Sequence, residues 1–459
     1  MVYDGSIDHR VARSGDRRSW DGGKMTCSPP CLLSINNYFY PRGGAEVLFL
    51  EQNRILEAAG WQVVPFAMRH PQNLPTPWAE YFPDEIEFGR SYPMRTKLVH
   101  AQRVIFSLQS RERLRALLKR VQPRIAHVHN IYHHLSPSIL PILRAAGIPV
   151  VMTVHDLKLA CPAYTMMSAN QHCERCRGGR IHNVIVHRCI KGSLALSSLI
   201  FVESFVHRLL RLYDANISMF AVPSRFVLEK LVEWGWPRER FAHIPNFVNV
   251  EQFNPARPIG RRFIYCGRLQ NNKGVTTLVR AAAAAKVPVT LVGTGPDEIR
   301  LRKLGTDLGA DVEFTGHLGK DALIDLVQSA RAMVVPSEVN ENAPLALLEG
   351  YAAGRPVIGA QIAGIPELVH EGETGVLFRS GDVNELAAAL DRFASLPDTR
   401  LSEMGAAGRS WVEQDFTATR YRERLLKLYE SLGNNGEMDK RPSGDSLNLS
   451  VPAAEIAPS

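Results

Sequence analysis

Two glutamates that stand eight residues apart, Glu341 and Glu349, bracket a nearly uncharged segment, ENAPLALLEG. An apolar run ends just before them, Pro344 fits the first turn of a helix, and Gly354 fits its exit. A helix start offers free N–H groups and a partial positive charge, which attract a phosphate. Each carboxylate could then accept hydrogen bonds from a polyol on one side of a diphosphate. A nucleotide sugar has this layout, although a surface glutamate and a helix-face glutamate would explain the pair taken alone.

Two cations and two glycines in the same half favour the same ligand. Arg268 follows a strand candidate at once and Lys273 opens the next helix, which suits a pyrophosphate. Gly293 and Gly295 follow another strand candidate, where they would let the backbone approach a ligand. The G-x-G-x-x-G spacing of dinucleotide sites is absent, because position 298 is Glu. Taken singly, these residues are equally well explained as solvated surface cations and an ordinary turn.

The first half offers glycines and histidines at strand ends. Gly43 and Gly44 open a helix where a bulky side chain would block a phosphate or a sugar, with a simple tight turn as the alternative. His155 ends one strand candidate and His129 ends the strand candidate before it. Because single histidines are more often structural, we rank His155 above His129 as a site residue.

Seven cysteines occur, and an odd number in a long chain without an apolar signal-peptide core argues against a disulfide framework. A cysteine-rich insertion at 161–189 holds four of them: Cys161, Cys173, Cys176 and Cys189. A CxxC pair with two further cysteines meets the ligand count of a structural Zn²⁺ site, although the spacing is looser than in a zinc finger. Reduced thiols in a core explain the same residues equally well.

The segment from 89 to 120 carries nine Arg or Lys and one Glu, with apolar residues at near-helical spacing. A basic amphipathic helix of this kind can lie on an anionic membrane surface. A solvated basic face over a domain core predicts the same pattern. No apolar run approaches the roughly 18 residues of a membrane span. We therefore expect a cytoplasmic chain, with peripheral binding to the cytoplasmic face of the membrane as one possibility.

Short Val/Ile-rich runs alternate with helical patterns through most of the 459 residues, which is typical of an α/β protein with parallel sheets. The alternation stops near 250–262, so we predict two doubly wound domains that face a central cleft, where ligands lie beyond the carboxyl ends of the strands. The predicted segments are a disordered N-terminal extension (1–29), an N-terminal domain (30–252), a linker (253–261), a C-terminal domain (262–410), paired helices (411–432) and a disordered tail (433–459).

Taken in order, the motifs resemble those of glycosyltransferase family 4, the retaining GT-B enzymes. ENAPLALLE matches the family's E-x7-E motif, and the segment from 336 to 378 resembles its donor-site block throughout. GRLQNNKG and VGTGP resemble the phosphate and nucleotide loops, and RGGAE resembles the N-terminal glycine loop. The resemblance covers residues 31 to 432. One departure follows PVIGA, where Ala363-Gly364 stands in place of the family's frequent pair of glycines.

The resemblance implies the GT-B fold, with two Rossmann-like domains and a last helix that crosses back to the first. It implies a retaining, metal-independent transferase that needs no cofactor and moves a sugar from a nucleotide-sugar donor to a sugar or lipid-linked acceptor. Arg268 and Lys273 would neutralise the leaving diphosphate, Glu349 would hold the ribose, and Glu341 and His155 would lie at the reacting centre. Backbone amides around three residues would hold the phosphates: Asn342, Ala343 and Leu345.

Other functions fit part of the sequence. A GT-B sugar-nucleotide 2-epimerase would use the same donor motifs without an acceptor. A non-catalytic partner that binds sugar nucleotides is weakened by the intact donor motifs. The formal net charge of +8 suits any anionic partner, yet no nucleic-acid-binding module is recognisable, so we expect no nucleic acid. Assembly of a cell-surface polysaccharide is the process that the family resemblance favours.

Overall fold

The computed structural model of the chain describes residues 29–86, 92–168 and 171–433. Two six-stranded parallel sheets dominate it, one in each half of the chain. The extensions predicted at 1–29 and 433–459 lie, apart from Pro29 and Gly433, outside the described residues. No helix in the described part of the chain is both long and apolar enough to cross a bilayer.

The N-terminal sheet has the strand order β2-β1-β3-β4-β7-β8. Its central strands are runs in which nearly every side chain is buried, as expected for strands covered on both faces. A two-stranded ribbon, β5-β6, lies apart from it. The strands are β1 (Cys31–Ile35), β2 (Gln62–Phe66), β3 (Ile125–Val128), β4 (Val150–Thr153), β5 (Met167–Ser168), β6 (Gln171–His172), β7 (Met219–Val222) and β8 (Phe241–His243).

The C-terminal sheet has the order β11-β10-β9-β12-β13-β14, which is the order of a dinucleotide-binding Rossmann sheet. Strand β9, the first of this sheet in the sequence, therefore lies between β10 and β12. Strands β10 and β11 are added on one side of β9, and β12, β13 and β14 are added on the other side. The strands are β9 (Phe263–Cys266), β10 (Val289–Val292), β11 (Val312–Gly316), β12 (Met333–Val335), β13 (Val357–Ala360) and β14 (Gly375–Phe378).

Helices connect the strands, and several begin at side chains that accept hydrogen bonds from the first turn. Ser193, Ser224 and Asp382 are caps of this kind, each satisfying N–H groups that the helix itself leaves unpaired. The helices are α1 (Gly44–Ala58), α2 (Met94–Ile105), α3 (Leu108–Leu118), α4 (Leu140–Ala145), α5 (Asn183–Val186), α6 (Leu194–Leu209), α7 (Arg225–Glu233), α8 (Val275–Ala285), α9 (Glu298–Asp307), α10 (Lys320–Gln328), α11 (Leu345–Ala352), α12 (Val383–Ser395), α13 (Asp398–Asp415) and α14 (Ala418–Gly433).

The last two helices tie the domains together. Helix α13 begins at Asp398, well before the boundary predicted at 411, and packs against α11 of the C-terminal domain. Helix α14 packs instead on the N-terminal domain, where Tyr421 and Leu425 lie in the same core cluster as Leu32 and Leu56. The chain thus returns to the domain in which it started.

The basic segment at 89–120 is not one amphipathic helix. Among its described residues it forms α2 and α3, separated at Phe106 and Ser107, where Ser107 caps α3. Leu114 and Leu117 of α3 are fully buried. The expectation of a single amphipathic helix is therefore wrong, because the described residues form two helices. The apolar side chains of α3 face the domain core.

Candidate active site

The strand orders bring the predicted site residues to one region. The loops that follow β1, β3 and β4 adjoin one another in the N-terminal sheet, and those that follow β9 and β12 adjoin in the C-terminal sheet. Parallel strands end on the same edge, so these loops form the two walls of a cleft. Gly44 and Leu345 show that the walls meet, since a Cβ atom built on Gly44 would lie 3.7 Å from Leu345 Cδ1.

Lys273 and Glu341 form the charged centre of the C-terminal wall. Lys273 Nζ lies 2.5 Å from Glu341 Oε1, and Ser337 Oγ donates to the same oxygen at 2.7 Å. The backbone of Glu341 is held as well, because Gly364 N–H donates to its carbonyl at 2.9 Å. Both side chains are partly exposed, by 32% for Lys273 and 16% for Glu341, so a ligand can reach them.

Helix α11 presents its amino end beside this pair. It begins at Leu345, so Pro344 is the residue before the first turn; the prediction that Pro344 lies within the first turn is wrong by one position. A proline side chain cannot accept a hydrogen bond, so the first N–H groups of α11 are available to an anion. The glycine loop of the N-terminal domain covers this helix end, as the approach of Gly44 to Leu345 shows.

Glu349 lies more than one turn inside α11 and is buried, with 8% of its surface exposed. It lines a space of about 680 Å³ between the domains, whose walls are mostly apolar. Burial raises the pKa of its carboxyl group. Its charge also raises the pKa of the Cys266 thiol, although burial of that thiol is the larger cause. Glu349 therefore lies near the end of β9.

Arg268 is exposed, and its charge acts on a residue of the opposite domain. Burial raises the pKa of the Tyr164 hydroxyl, and the positive charge of Arg268 acts in the opposite direction. The guanidinium group is therefore close enough to influence a residue of the N-terminal wall, and it remains open to a ligand.

Gly293 and Gly295 are required by backbone packing. A Cβ atom on Gly293 would lie 2.1 Å from the carbonyl oxygen of Gly267, and one on Gly295 equally close to that of Leu269. Gly293 also has a φ of 126°, a conformation that favours glycine. The two glycines let the loop after β10 press against the loop that carries Arg268.

The N-terminal wall contains a stack of three imidazoles. His127 contacts Tyr429 OH through Nδ1 at 2.5 Å and Thr153 Oγ1 through Nε2 at 2.7 Å. His129 Nδ1 lies 2.8 Å from His155 Nε2, and adjacent rings in the stack lie about 5 Å apart. The stack thus runs from the C-terminal helix α14 to the cleft. His129, ranked below His155 from the sequence, is its middle member.

Burial keeps these histidines neutral. It lowers the pKa of His155 to about 4 and that of His127 to about 3, and it lowers the pKa of His129 as well. The imidazoles also disfavour charge on one another, because they stand side by side. The histidine stack therefore offers hydrogen bonds without positive charge near pH 7.

Several contacts across the cleft were missed by sequence reasoning. Asn342 Nδ2 donates to the carbonyl of Val154 at 2.6 Å, and Asn342 Oδ1 accepts from Ser224 Oγ at 2.6 Å. Asn246 Nδ2 donates to the carbonyl of Ala343 at 2.8 Å. Asn342 and Ala343, predicted to contribute only backbone amides, therefore also fasten the E-x7-E segment to the other domain.

Glu367 caps a helix of the opposite domain. Its carboxylate accepts from the backbone N–H groups of Arg225 and Phe226, the first residues of α7. An acid at a helix amino end is favourable both as a hydrogen-bond acceptor and as a charge. The sequence alone identifies Ser224 as a cap residue for α7, but it does not predict that Glu367 of the other domain binds the start of the same helix.

The four predicted zinc ligands converge without metal-binding geometry. Cys161, Cys173, Cys176 and Cys189 all line one small cavity, together with His187. All cysteines in the described part of the chain are free thiols. Burial, with the neighbouring thiols, raises the pKa of Cys176 to about 12. Within the described ranges, no three His, Cys, Asp or Glu side chains are placed to hold a metal ion.

Two family models match the chain, one in each domain. Residues 42–252 match "Glycosyltransferase Family 4", and residues 260–395 match "Glycosyl transferases group 1". A mannosyltransferase of Corynebacterium glutamicum, named as GDP-mannose-dependent and acting on phosphatidylinositol monomannoside, is 29% identical over 48% of this chain and 64% of its own length. The sulfoquinovosyl transferase of Arabidopsis thaliana is 26% identical over 73% of this chain and 61% of its own.

The matched regions thus span less than two thirds of these curated relatives. The solved structure of sucrose-phosphate synthase from Thermosynechococcus elongatus resembles the whole fold, with a TM-score of 0.66 and 23% identity over 88% of this chain and 99% of that one. Its identity is low enough that it bears on the fold alone. Together, the two family models, the paired Rossmann-like domains and the E-x7-E segment show that the chain belongs to glycosyltransferase family 4, with the GT-B fold.

Proposed function

We propose that the chain transfers a sugar, with retention of configuration, from a nucleotide-sugar donor to a hydroxyl group of a sugar or lipid-linked acceptor. The observation that carries the proposal is the contact between Lys273 and Glu341 beside the amino end of α11. Gly44 of the other domain covers the same helix end. A cation, an acid and free N–H groups thus face one covered space, which suits a sugar joined to a diphosphate.

The diphosphate would be held by the C-terminal wall. Arg268 and Lys273 supply two positive charges, and the backbone N–H groups around Asn342, Ala343 and Leu345 supply oriented dipoles. On donor binding, Lys273 would exchange its contact with Glu341 for a phosphate oxygen. Catalysis would then be electrostatic, because these groups stabilise the charge that grows on the leaving diphosphate.

The sugar and the ribose would lie on either side. Glu341, released from Lys273, would accept a hydrogen bond from the donor sugar, and His155 would contact the same sugar from the opposite wall. Glu349 would accept from the ribose hydroxyls, since its carboxylate lines the space between the domains. Two hydroxyl donors would offset the burial that raises its pKa.

The reaction follows from this placement. The acceptor oxygen attacks the anomeric carbon on the face from which the diphosphate departs, so that the new C–O bond forms as the bond to phosphate breaks. The hydroxyl proton passes to the departing phosphate oxygen. The products are a glycoside of unchanged anomeric configuration and a nucleoside diphosphate.

The relatives support transfer over the alternatives. Both curated relatives described above carry transferase names, whereas neither is named as an epimerase or as a non-catalytic subunit. The mannosyltransferase is named for a lipid acceptor, which favours a lipid-linked acceptor and a role in cell-surface glycan synthesis here as well.

A donor screen tests the proposal. UDP-, GDP- and ADP-sugars are compared by thermal shift, and the stabilising donor is incubated with and without acceptors while products are followed by NMR. Glu341→Gln should reduce turnover by about a hundredfold or more, whereas Glu373→Gln, which alters a surface glutamate that is 69% exposed, should leave it unchanged. Interconversion of the donor without acceptor would assign an epimerase, and near-normal turnover of Glu341→Gln would refute the proposed site.

We also propose that the chain acts in the cytoplasm, at the cytoplasmic face of the membrane, and that nucleic acid is not its partner. The basic charge and the lipid acceptor in the name of one relative support a membrane location.

For the cysteine-rich segment we propose a structural zinc ion, supported by the shared cavity of four cysteines and His187. Zinc would stabilise thiolates that burial otherwise disfavours, and it would require the four cysteines to lie closer together than the described residues place them. Metal analysis of dialysed protein, purified without a His-tag, decides the matter. Less than about a tenth of an equivalent of zinc per chain would leave reduced thiols as the explanation.

A further inference from the structure

Helix α6 is apolar on the side that faces solvent. Its inward side buries Ile200, Glu203 and His207. Its outward side exposes Phe205 by 50% and Leu209 by 67%, and the only charged residues of this helix are Glu203, which is buried, and Arg208 near its end. Surface helices of globular proteins carry charged and polar residues on that side. This helix therefore has an unusual outward surface.

Helix α2 continues the same surface. It packs beside α6, and His207 of α6 lies 2.7 Å from the carbonyl oxygen of Ile105 at the end of α2. Met94 and Leu98 are 70% and 64% exposed on the outward side of α2. We call the outward sides of α2 and α6 together the apolar face. Exposed apolar side chains on two helices that pack together are typical of an interaction site.

The exposed charge that borders the apolar face is mainly basic. From 94 to 112 the chain contains four Arg or Lys and one acid, Glu112 of α3, and from 186 to 214 it contains four Arg or Lys and two acids, the buried Glu203 and Asp214, which pairs with Arg211 at 2.8 Å. Exposed members include Arg95 and Lys97 on α2 and Arg188 and Lys191 just before α6. An apolar strip bordered by cations matches the boundary of an anionic bilayer, which offers acyl chains beneath phosphate groups.

Charge also argues against a second copy of the chain as occupant. A two-fold contact places the same surface on both partners. The basic borders of two apolar faces would then oppose each other, and like charges repel. Anionic lipids instead neutralise them.

The inward side of α6 connects the apolar face to the cleft. The buried carboxylate of Glu203 contacts Lys158 Nζ at 2.8 Å and His133 Nδ1 at 3.2 Å. Lys158 lies three residues after His155, and its backbone N–H donates to Asp156 at 2.9 Å. The helix that bears the apolar face therefore packs directly behind the acceptor side of the cleft.

We propose that the apolar face, formed by α2 and α6, docks on an anionic membrane surface. This inference deepens the membrane location proposed above by naming the surface that docks, and it rests on the proposed transfer reaction only in explaining why docking is useful: a docked N-terminal domain would meet a lipid-linked acceptor at its cleft. Docking itself needs only the exposed apolar residues and the basic border.

Vesicle flotation tests the proposal with the full chain. Wild type should bind vesicles of phosphatidylcholine with phosphatidylglycerol, bind pure phosphatidylcholine far less, and be released by high salt. The double variant Phe205→Ser/Leu209→Ser should weaken binding by about tenfold or more, and Arg95→Gln/Lys97→Gln by about fivefold for each charge removed. Ile299→Ser is the matched control, because Ile299 is 85% exposed on α9 of the other domain.

Two further measurements separate the outcomes. The thermal shift caused by a nucleotide should be the same in wild type and in all these variants, so loss of docking is distinguishable from loss of the donor site. Sedimentation without lipid should show the same mass for wild type and Phe205→Ser/Leu209→Ser. The proposal is overturned if the double variant binds vesicles like wild type, if Ile299→Ser weakens binding equally, if lipid charge has no effect, or if the double variant converts a dimer to a monomer.

Discussion

The two walls of the cleft differ in charge. We call the stack of His127, His129 and His155 the histidine wall, and its members are kept neutral by burial. Opposite it, the charged wall consists of Arg268, Lys273 and Glu341, all at least partly open to solvent. The histidine wall offers neutral hydrogen bonds, the charged wall offers charges and a helix amino end, and the glycine loop of the N-terminal domain adds an exposed cation, Arg42.

The difference suggests a division of labour for an anionic donor. If both walls were cationic, the diphosphate would have two competing positions in the cleft. With a neutral histidine wall, the histidines would orient the uncharged sugar, and the phosphates would be drawn to the charged wall and to the glycine loop over α11, where Arg42 is exposed. Electrostatic contacts are also stronger in a covered, low-dielectric space, so few charges suffice.

The largest effect is expected on removing charge from the charged wall. Arg268→Ala and Lys273→Ala should each lower turnover by about a hundredfold to a thousandfold, because each removes a cation from the leaving diphosphate. Circular dichroism and melting temperature should stay near wild type, since Arg268 is exposed and Lys273 is partly exposed.

Arg261→Ala is the matched control for these cations. Arg261 is exposed near the start of β9, at the end of the strand that points away from the cleft. Steady-state kinetics at saturating acceptor should find its turnover unchanged. Comparable losses in all three variants would mean that overall charge, rather than the charged wall, determines the rate.

The second prediction concerns the neutrality of the histidine wall. Burial lowers the pKa of His127 to about 3, below the value of about 6.5 in an unfolded chain. At a pH between about 3 and 6.5, position 127 therefore carries a proton in the unfolded chain but not in the folded protein. The stability contributed by neutral His127 is therefore fully present above pH 6.5 and is lost as pH falls, by about 1.4 kcal/mol for each pH unit.

Denaturant unfolding at pH 7 and pH 5.5 measures this loss. His127→Gln has no such proton, so its free energy of unfolding should fall less than that of wild type over the same interval. It will start lower, because it disturbs the contacts with Tyr429 and Thr153. His182→Gln, at an exposed histidine, should keep the wild-type pH dependence. Identical slopes for wild type and His127→Gln would contradict a neutral histidine wall.

The sequence predicted the parts of the site that depend on neighbours along the chain. The spacing of Glu341 and Glu349 around a helix start, and the position of Lys273 before α8, follow from local rules for helix ends. The two parallel sheets follow from buried Val/Ile-rich runs, and the likeness to solved GT-B structures confirms this fold. These features require only the local pattern.

Contacts between the domains could not be predicted in this way. The bonds from Asn342 to Val154 and from Asn246 to Ala343 join residues about 190 and 100 positions apart, and no periodicity encodes such pairs. The close approach of Gly293 and Gly295 to the backbone of the neighbouring loop also joins separate parts of the chain, and the sequence predicted only an approach to a ligand. The outward side of α6 was also missed, because an apolar run reads the same whether it faces a core or solvent.

The smallest effect is expected in the loop that supports the charged wall from behind. Ala363 has a φ of 51°, a left-handed conformation that costs a residue with a Cβ about 1 kcal/mol. The next residue, Gly364, donates its N–H to the carbonyl of Glu341. Ala363→Gly relieves the strain but makes the unfolded chain more flexible, which costs about 0.4 to 1 kcal/mol. The free energy of unfolding should therefore change by less than about 1 kcal/mol.

Lys286→Gly is the matched control, because Lys286 has a similar φ of 53° at the end of α8, outside the site residues described above. Both variants should change stability alike, as measured by denaturant unfolding. Only Ala363→Gly should alter the KM for the donor, and by no more than about threefold, since it loosens the residue next to the Glu341 support without removing the hydrogen bond. A similar change of KM in Lys286→Gly would show that flexibility anywhere in the domain affects donor binding, and that the loop at Ala363 has no special part in placing the charged wall.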